Sequence, residues 1–326
     1  MEGGRTGEPA AGPTKWQELA VRGVPTFLLL EDASGDGRRR EPDPKDEMLG
    51  AWAEDFYAGL SPSDRLAWPG GAAKTLAELA DRHFFSPAGS LTVPRPPDGA
   101  LYRAFAEGRY VRAVNFHATP ARLAGLFEEQ LDQLAERFAP VSYGDLADFV
   151  ITGEWPHERP GVMLNFFDGF RSNHEVAAPI LDRLGLTGWF FLVSGWVSSP
   201  PEEQRAFASR RLLDLPHDER DLPDDGRLAL SPAEVRDLAR RGHVVASHTQ
   251  AHTTASPEFD PDLSPGALAR EVPGSKRDLE RFAGGPVRVL AWREGTPLGA
   301  DGRADGALRD AGYEILLANH AVQRIR

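Results

Sequence analysis

Asp168, His248 and His252 together supply one carboxylate and two imidazoles, the donor set of a mononuclear divalent-metal site. Asp168 closes the apolar run Leu164-Asn165-Phe166-Phe167 and precedes Gly169. A tight turn there would set its carboxylate at the mouth of a sheet, although Asp-Gly is also an ordinary turn dipeptide. His248 and His252 stand at i and i+4 in Ser247-His248-Thr249-Gln250-Ala251-His252. On a helical turn that spacing puts both rings on one side, with Cβ atoms roughly 5–6 Å apart, and His is the commonest metal ligand among side chains. A bare His-x-x-x-His pair is equally well two incidental surface histidines. The stretch before it, Gly242-His243-Val244-Val245-Ala246-Ser247, reads as a strand leaving a helix stop, so the pair shares a rim with Asp168. Three ligands on one rim are a far rarer coincidence than any one of them.

Strands alternating with helices position these residues. From Val111 the pattern predicts strands over Val111–Phe116, Gly161–Phe167, Gly188–Val193, Val244–Ser247, Val287–Trp292 and Glu314–Ala318. Between them it predicts helices over Leu123–Phe138, Glu175–Leu184, Pro232–Arg241 with Ser231 as N-cap, Leu268–Phe282 and Ala304–Ala311. Residues 199–230 read as a long acidic loop. Such alternation calls for a parallel sheet with crossover helices, open or closed into a barrel. The candidate ligands then fall at carboxyl ends of strands, where barrel enzymes assemble their sites. Residues 1–105 carry no catalytic motif and form an N-terminal extension. Its first ~15 residues are expected to be disordered, with a short strand near Val24–Leu30 and two amphipathic helices between Asp46 and His83. Residues 106–326 form the catalytic unit.

Composition narrows the chemistry. The net charge is −12, which argues against binding nucleic-acid backbones. There is no Cys, so disulfides, thiolate-bound zinc and thiol nucleophiles are excluded. No apolar run approaches the roughly 18 residues of a membrane span, and Met1 to Lys15 is polar without an apolar core, unlike a secretory signal. The expectation is a cytoplasmic protein that acts on a small molecule, with no nucleic-acid or membrane partner and with homo-oligomerisation open. No Gly-x-Ser-x-Gly, Gly-x-Gly-x-x-Gly or Walker-type loop occurs.

Several motifs, in order, resemble the polysaccharide deacetylase (NodB-homology, carbohydrate esterase family 4) family. Asn115-Phe116-His117 resembles its opening strand ending in Tyr-His, and Asn165-Phe166-Phe167-Asp168-Gly169-Phe170 resembles Thr-Phe-Asp-Asp-Gly-Tyr. The helix from Asn173-His174-Glu175, the strand Gly188-Trp189-Phe190-Phe191-Leu192 and the His-Thr-x-x-His loop through His252 follow in register. Leu290-Ala291-Trp292-Arg293-Glu294-Gly295 resembles Phe-Ala-Tyr-Pro-Tyr-Gly, and Asp310-Ala311-Gly312-Tyr313 the terminal Ala-Gly-Tyr. The resemblance implies an α/β fold, a distorted (β/α) barrel, and one divalent metal held by Asp168, His248 and His252. Zinc is expected first, with iron, cobalt or nickel as alternatives. It further implies removal of an N-acyl group, the metal polarising the amide carbonyl and activating water.

One departure bears on mechanism. The family's base, the first Asp of its Asp-Asp pair, is replaced here by Phe167, and a general base supplies about 10²–10⁴-fold. Glu294 is the first substitute, as an extra carboxylate on the rim, or else a solvated acid. His117 is open as a base, an acid, a substrate contact or a core histidine. Phe167, Asn165, Trp292 and Arg293 are candidate substrate contacts, although Ala291 rather than Arg293 stands where some members carry their Arg. His320, past the last strand, matches the family's acid His poorly, and Asp214 and His217 could close over the site. The readings that follow are a deacetylase-like hydrolase of an amino sugar, nucleoside or specialised metabolite; a repurposed site, either an iron facial triad or a metal-templated rearrangement; and a disarmed pseudoenzyme that binds a ligand.

Overall fold

The computed structural model describes residues 84–85, 111–152, 155–213, 215–216, 222–223, 225–255, 266–318 and 321–325. The elements expected before His83, the N-terminal disorder, and Asp214, His217 and His320 lie outside the described residues. Among the described residues nine strands join in one curled sheet: β1 (Phe84–Phe85), β2 (Val111–Phe116), β3 (Ala139–Pro140), β4 (Gly161–Asp168), β5 (Gly188–Leu192), β6 (Val244–Ser247), β7 (Val289–Ala291), β8 (Ile315–Ala318) and β9 (Ala321–Arg324). Their order is β1-β2-β4-β5-β6-β7-β8-β9, with β3 added to β4. Pairing is parallel from β2 through β8, and β1 and β9 close the two edges antiparallel. The helices are α1 (Ala124–Arg137), α2 (Tyr143–Thr152), α3 (Ala178–Leu184), α4 (Ser194–Ser198), α5 (Pro201–Arg211), α6 (Pro232–Arg240), α7 (Ala267–Ala283) and α8 (Gly302–Ala311). This is a distorted (β/α) barrel. Phe84–Phe85, far ahead in the chain, supplies its first edge strand.

Strand periodicity sorts the apolar residues into two layers. Ala113, Met163, Trp189, Phe191, Ala246, Ala291 and Leu317 face the lumen. Val114, Leu164, Phe166, Phe190, Val245, Leu290 and Leu316 face outward against Leu131 of α1, Leu181 of α3, Leu238 of α6 and Leu279 of α7. Helix α2 plugs the end of the barrel opposite the strands' carboxyl termini. Its Leu146 and Phe149, with Trp155, join the lumenal cluster, and Trp155 packs so close to Gly161 that a Cβ there would lie 2.6 Å from its ring. Among the described residues no helix is long and apolar enough to cross a membrane.

Some elements differ from the sequence reading. The segment read as an acidic loop from residue 199 holds α5, preceded by α4 at Ser194–Ser198. Helix α5, Pro-Glu-Glu-Gln-Arg-Ala-Phe-Ala-Ser-Arg-Arg, has no apolar stripe and buries only Gln204 and Ala208. Tertiary bonds hold it: Trp196 Nε1 donates to the Gln204 carbonyl at 2.9 Å, and Gln204 Oε1 accepts from the Leu228 and Ala229 amides. The helix expected from Glu175 begins instead as a π-helical turn, Asn173–Ala177, before α3. Strand β9 and helix α2 were not anticipated, and strand β4 runs one residue further, to Asp168.

At α6, Ser231 is the expected N-cap, and with Glu234 it forms a capping box. Burial alone would raise the Glu234 carboxyl, but bonds from Arg227 and Ser231 hold it down, at about 2 against an ordinary 4.5. A depressed carboxyl stabilises the fold above the unfolded value and loses that contribution as pH falls through the folded one. Glu234→Gln should therefore destabilise the protein by about 1–2 kcal/mol at pH 7, with the gap closing as pH drops from about 4.5 toward about 2. Urea unfolding at several pH values checks this, and a gap that widens on acidification would contradict it.

Candidate metal centre

Asp168, His248 and His252 meet at the carboxyl-terminal mouth of the barrel. One ligand atom from each lies within 4.8 Å of the others, and all three residues are buried. Asp168 ends β4 with φ 72°, a left-handed turn that swings its carboxylate off the strand's outward course. His248 follows β6 directly, its amide held by the Leu192 carbonyl at 2.9 Å. The pair does not ride on a helical turn: residues 248–252 are a loop with Thr249 at φ 67° and His252 at φ 56°. The loop crosses over the start of α4, where the Ser194 and Gly195 amides bond to the Thr249 and Gln250 carbonyls.

The proton positions follow from the partners. His248 Nδ1 lies 2.8 Å from the Ala291 carbonyl oxygen, and His252 Nδ1 lies 2.7 Å from that of Arg211. A carbonyl oxygen only accepts, so each Nδ1 carries the proton and each neutral ring presents a bare lone pair at Nε2. Burial pushes His248 down to about 4, and burial followed by the charge of His248 pushes His252 well below its ordinary range, so both rings are neutral near pH 7. The two Nε2 atoms nevertheless face each other at 3.2 Å, with Asp168 Oδ1 at 3.9 and 3.6 Å. Two lone pairs at that distance cannot hydrogen-bond, and they repel. A divalent cation among the three atoms turns the repulsion into ligation, so the residues present fit a metal.

Strand periodicity carried past β2, β4 and β6 sets the residues around this centre. His117, Phe167 and His248 continue the lumenal rows of Ala113, Met163 and Ala246, and Arg293 stands in the turn after β7 that the Gly295 amide closes on the Trp292 carbonyl at 2.9 Å. Phe167 stacks on Phe191 with centroids 5.0 Å apart, meets His248 edge-on at 5.0 Å and lies 5.8 Å from the His117 ring. One step deeper, Asn165 is fully buried and donates to Asn115 Oδ1 at 2.9 Å. The guanidinium of Arg293 is near enough to lower both histidines. The same alternation sends Trp292 the other way, into the outer layer with Leu290. Glu294 Oε1 accepts from the Ala255 amide at 2.7 Å and from Thr296 Oγ1 at 2.6 Å, which ties the carboxylate to the neighbouring loop.

Other contributors carried no signal in the sequence. Arg211 acts through its carbonyl, so its side-chain identity is irrelevant. Asn173, fully buried in the π-helical turn, donates to the His117 carbonyl at 2.7 Å and fixes that residue's backbone. The histidine loop is pinned from α7: Glu271 accepts from the Ala251 amide, Asp278 from Gln250, and Ser275 bonds Ser247 at 2.8 Å. Gly195 admits the loop at all, because a Cβ there would stand 2.4 Å from the Gln250 carbonyl oxygen. Gly195→Ala should shift the loop and weaken zinc affinity by about 10–100-fold with far-ultraviolet dichroism unchanged. A chelator-competition titration that finds unchanged affinity would contradict this.

Among solved structures, the fold is similar to the Streptococcus pyogenes deacetylase PplD in complex with acetate, at 17% identity and a TM-score of 0.49 over 66% of this chain and 91% of that one. It is similar to IcaB from Ammonifex degensii at 20% identity and 0.49, over 66% and 86%. It is also similar to a de-N-acetylase from Aggregatibacter actinomycetemcomitans at 18% identity and 0.48, over 66% and 90%. No curated protein sequence matches. Residues 155–316, which hold all three candidate ligands, strands β4 to β7 and the start of β8 with the intervening helices, match the family model for polysaccharide deacetylase. Residues 155–316 are thus a domain of the polysaccharide deacetylase family, in which Phe167 directly precedes Asp168.

Proposed function

We propose that this chain is a metal-dependent hydrolase that removes an N-acyl group from a small substrate, an amino sugar, nucleoside or specialised metabolite. The observation that carries the reading is the convergence of Asp168 Oδ1 and the Nε2 atoms of His248 and His252 in one buried cluster. Asp168, His248 and His252 would hold one divalent ion, zinc first. A bound ion supplies a Lewis acid for the acyl carbonyl and makes water a better nucleophile near neutral pH. The three residues are 1%, 3% and 7% exposed, which favours a compact acyl group.

With Phe167 unable to take a proton and Glu294 engaged by Ala255 and Thr296, His117 is the proton-handling group in this reading. It stands in the lumenal row beside Phe167, its backbone held by Asn173. It accepts a proton as water attacks and returns it to the departing amine. Purified protein should hold about one divalent metal and release a carboxylic acid from at least one member of an N-acyl panel. Asp168→Ala should abolish metal retention, and His117→Gln should keep the metal while lowering kcat about 10²–10⁴-fold. Metal-replete protein that hydrolyses no panel member would sink the hydrolase reading, and an unchanged kcat in His117→Gln would remove His117 from the mechanism.

The ring of Phe167 against His248 favours a second reading, in which the inherited reaction is disarmed or replaced and the mouth binds a ligand or runs other metal chemistry. Phe167→Asp separates the two. A gain of deacetylation means a natively disarmed site, whereas loss of a native activity means the ring is a working part of the pocket. Iron in anaerobically purified protein, with oxygen-dependent turnover, would favour the non-hydrolytic version.

A further inference from the structure

We infer that Asn173 is the positioning residue of the proton-handling group: it sets the direction of the His117 ring by holding the His117 main chain, with Ser172 as a second point of attachment. The inference rests on the hydrolase reading for what His117 does and adds what fixes its geometry.

The histidines around the centre are oriented in two different ways. A backbone carbonyl takes the Nδ1 proton of His248 and another that of His252, which aims both rings directly. Among the described residues no group hydrogen-bonds the His117 ring, and its ring neighbour is Phe167, with centroids 5.8 Å apart. An aromatic neighbour limits the tilt of an imidazole but directs neither nitrogen. The way His117 presents its nitrogens is therefore inherited from its main chain, and both nitrogens stay available for taking up and returning a proton.

That main chain is held from the segment that follows the Asp168 turn. Asn173 Nδ2 donates to the His117 carbonyl at 2.7 Å and to Thr119 Oγ1 at 3.3 Å, and Ser172 Oγ accepts from the Thr119 amide at 3.0 Å. These bonds cover the stretch where the chain has left β2 and not yet entered the short helical turn Ala121–Leu123. The holding segment is itself anchored on two sides. The Arg171 amide bonds the Leu228 carbonyl and the Leu230 amide the Gly169 carbonyl, each at 2.8 Å, while His174 Nε2 lies 3.0 Å from Asp237 Oδ2 on α6. The π-helical turn Asn173–Ala177, a form frequent at functional sites, thus reaches the His117 loop with its first residue and α6 with its second. Asp168 and Asn173 leave the same strand, so the candidate carboxylate ligand and the proton-handling ring share one support. A displacement of about 1 Å at a reacting group can cost about 10²-fold in rate, so a bond that acts only through the main chain reaches the chemistry.

Two measurements test this, and one of them needs no turnover. In zinc-loaded protein carrying isotope-labelled histidine, nuclear magnetic resonance identifies the His117 ring by its loss in His117→Gln. Asn173→Ala should shift and broaden that ring's resonances while zinc affinity, read by chelator competition, stays as in the parent protein. With an N-acyl panel member that the protein hydrolyses, Asn173→Ala should lower kcat about 10–100-fold and leave KM near its parent value. In the His117→Gln background the same substitution should lower kcat little further, because both changes act on one group. Ser172→Ala, which removes a half-buried acceptor, should show the same pattern more weakly and carries the test if Asn173→Ala fails to fold. His117 resonances unmoved in both folded variants, or losses in kcat that simply multiply, would each overturn the inference. So would a fall in zinc affinity as large as the fall in kcat, since that marks a general support of the mouth. Resonances that move in a protein that hydrolyses no panel member would instead overturn the hydrolase reading alone.

Discussion

Three lone pairs aimed at one point are the constraint on which the rest of the barrel mouth depends. Two backbone carbonyls, those of Ala291 and Arg211, decide which nitrogen of each imidazole carries its proton. The remaining nitrogens and the Asp168 carboxylate are then left facing one another in a place shielded from water. A cation among them relieves that arrangement. The centre is therefore specified by the backbone of β7 and the end of α5 as much as by its three side chains, and substitutions far from the ligands reach it through those carbonyls.

Holding this geometry costs backbone strain. Among the described residues four non-glycine residues have positive φ: Asp168, Leu212, Thr249 and His252. Two are candidate ligands, Thr249 lies between the histidines, and Leu212 closes α5 next to the Arg211 carbonyl that His252 uses. Left-handed backbone costs of order 1–3 kcal/mol per residue and persists only where its surroundings enforce it. The enforcement is visible: Thr249 Oγ1 accepts from the Thr253 amide at 2.7 Å, Ser247 bonds Ser275, Ser275 bonds Tyr313, and Glu271 and Asp278 grip the loop from α7. A β-branched residue in this conformation at the centre of a ligand loop marks a site whose shape matters more than its local stability.

Much of this was legible in the sequence. Buried parallel strands read as apolar runs, so β4, β5 and β6 and the ligands at their ends could be placed from the amino acids alone. Ser231 announced the start of α6 as its cap. What stayed hidden depends on tertiary contacts. Helix α5 is polar on every side and stands because Trp196 and Gln204 brace it. The His248–His252 spacing suggested a helical turn, but two left-handed residues achieve the same convergence through a loop. Trp292 looked like a mouth residue until strand parity assigned it to the outer layer. Asn173 and Arg211 work through and upon main-chain atoms, which residue type does not advertise.

Phe167 then gains a definite meaning. It fills the lumenal row between His117 and His248, packed on Phe191, and so sets an apolar ring beside the candidate centre. Whatever reaction follows, the account depends on a cation being held by Asp168 and both histidines. X-ray absorption at the zinc edge of the stoichiometrically loaded protein addresses that most directly. The account predicts two imidazole scatterers in the coordination shell, falling to one in His252→Ala. A shell without imidazole, or one unchanged by that substitution, would contradict it.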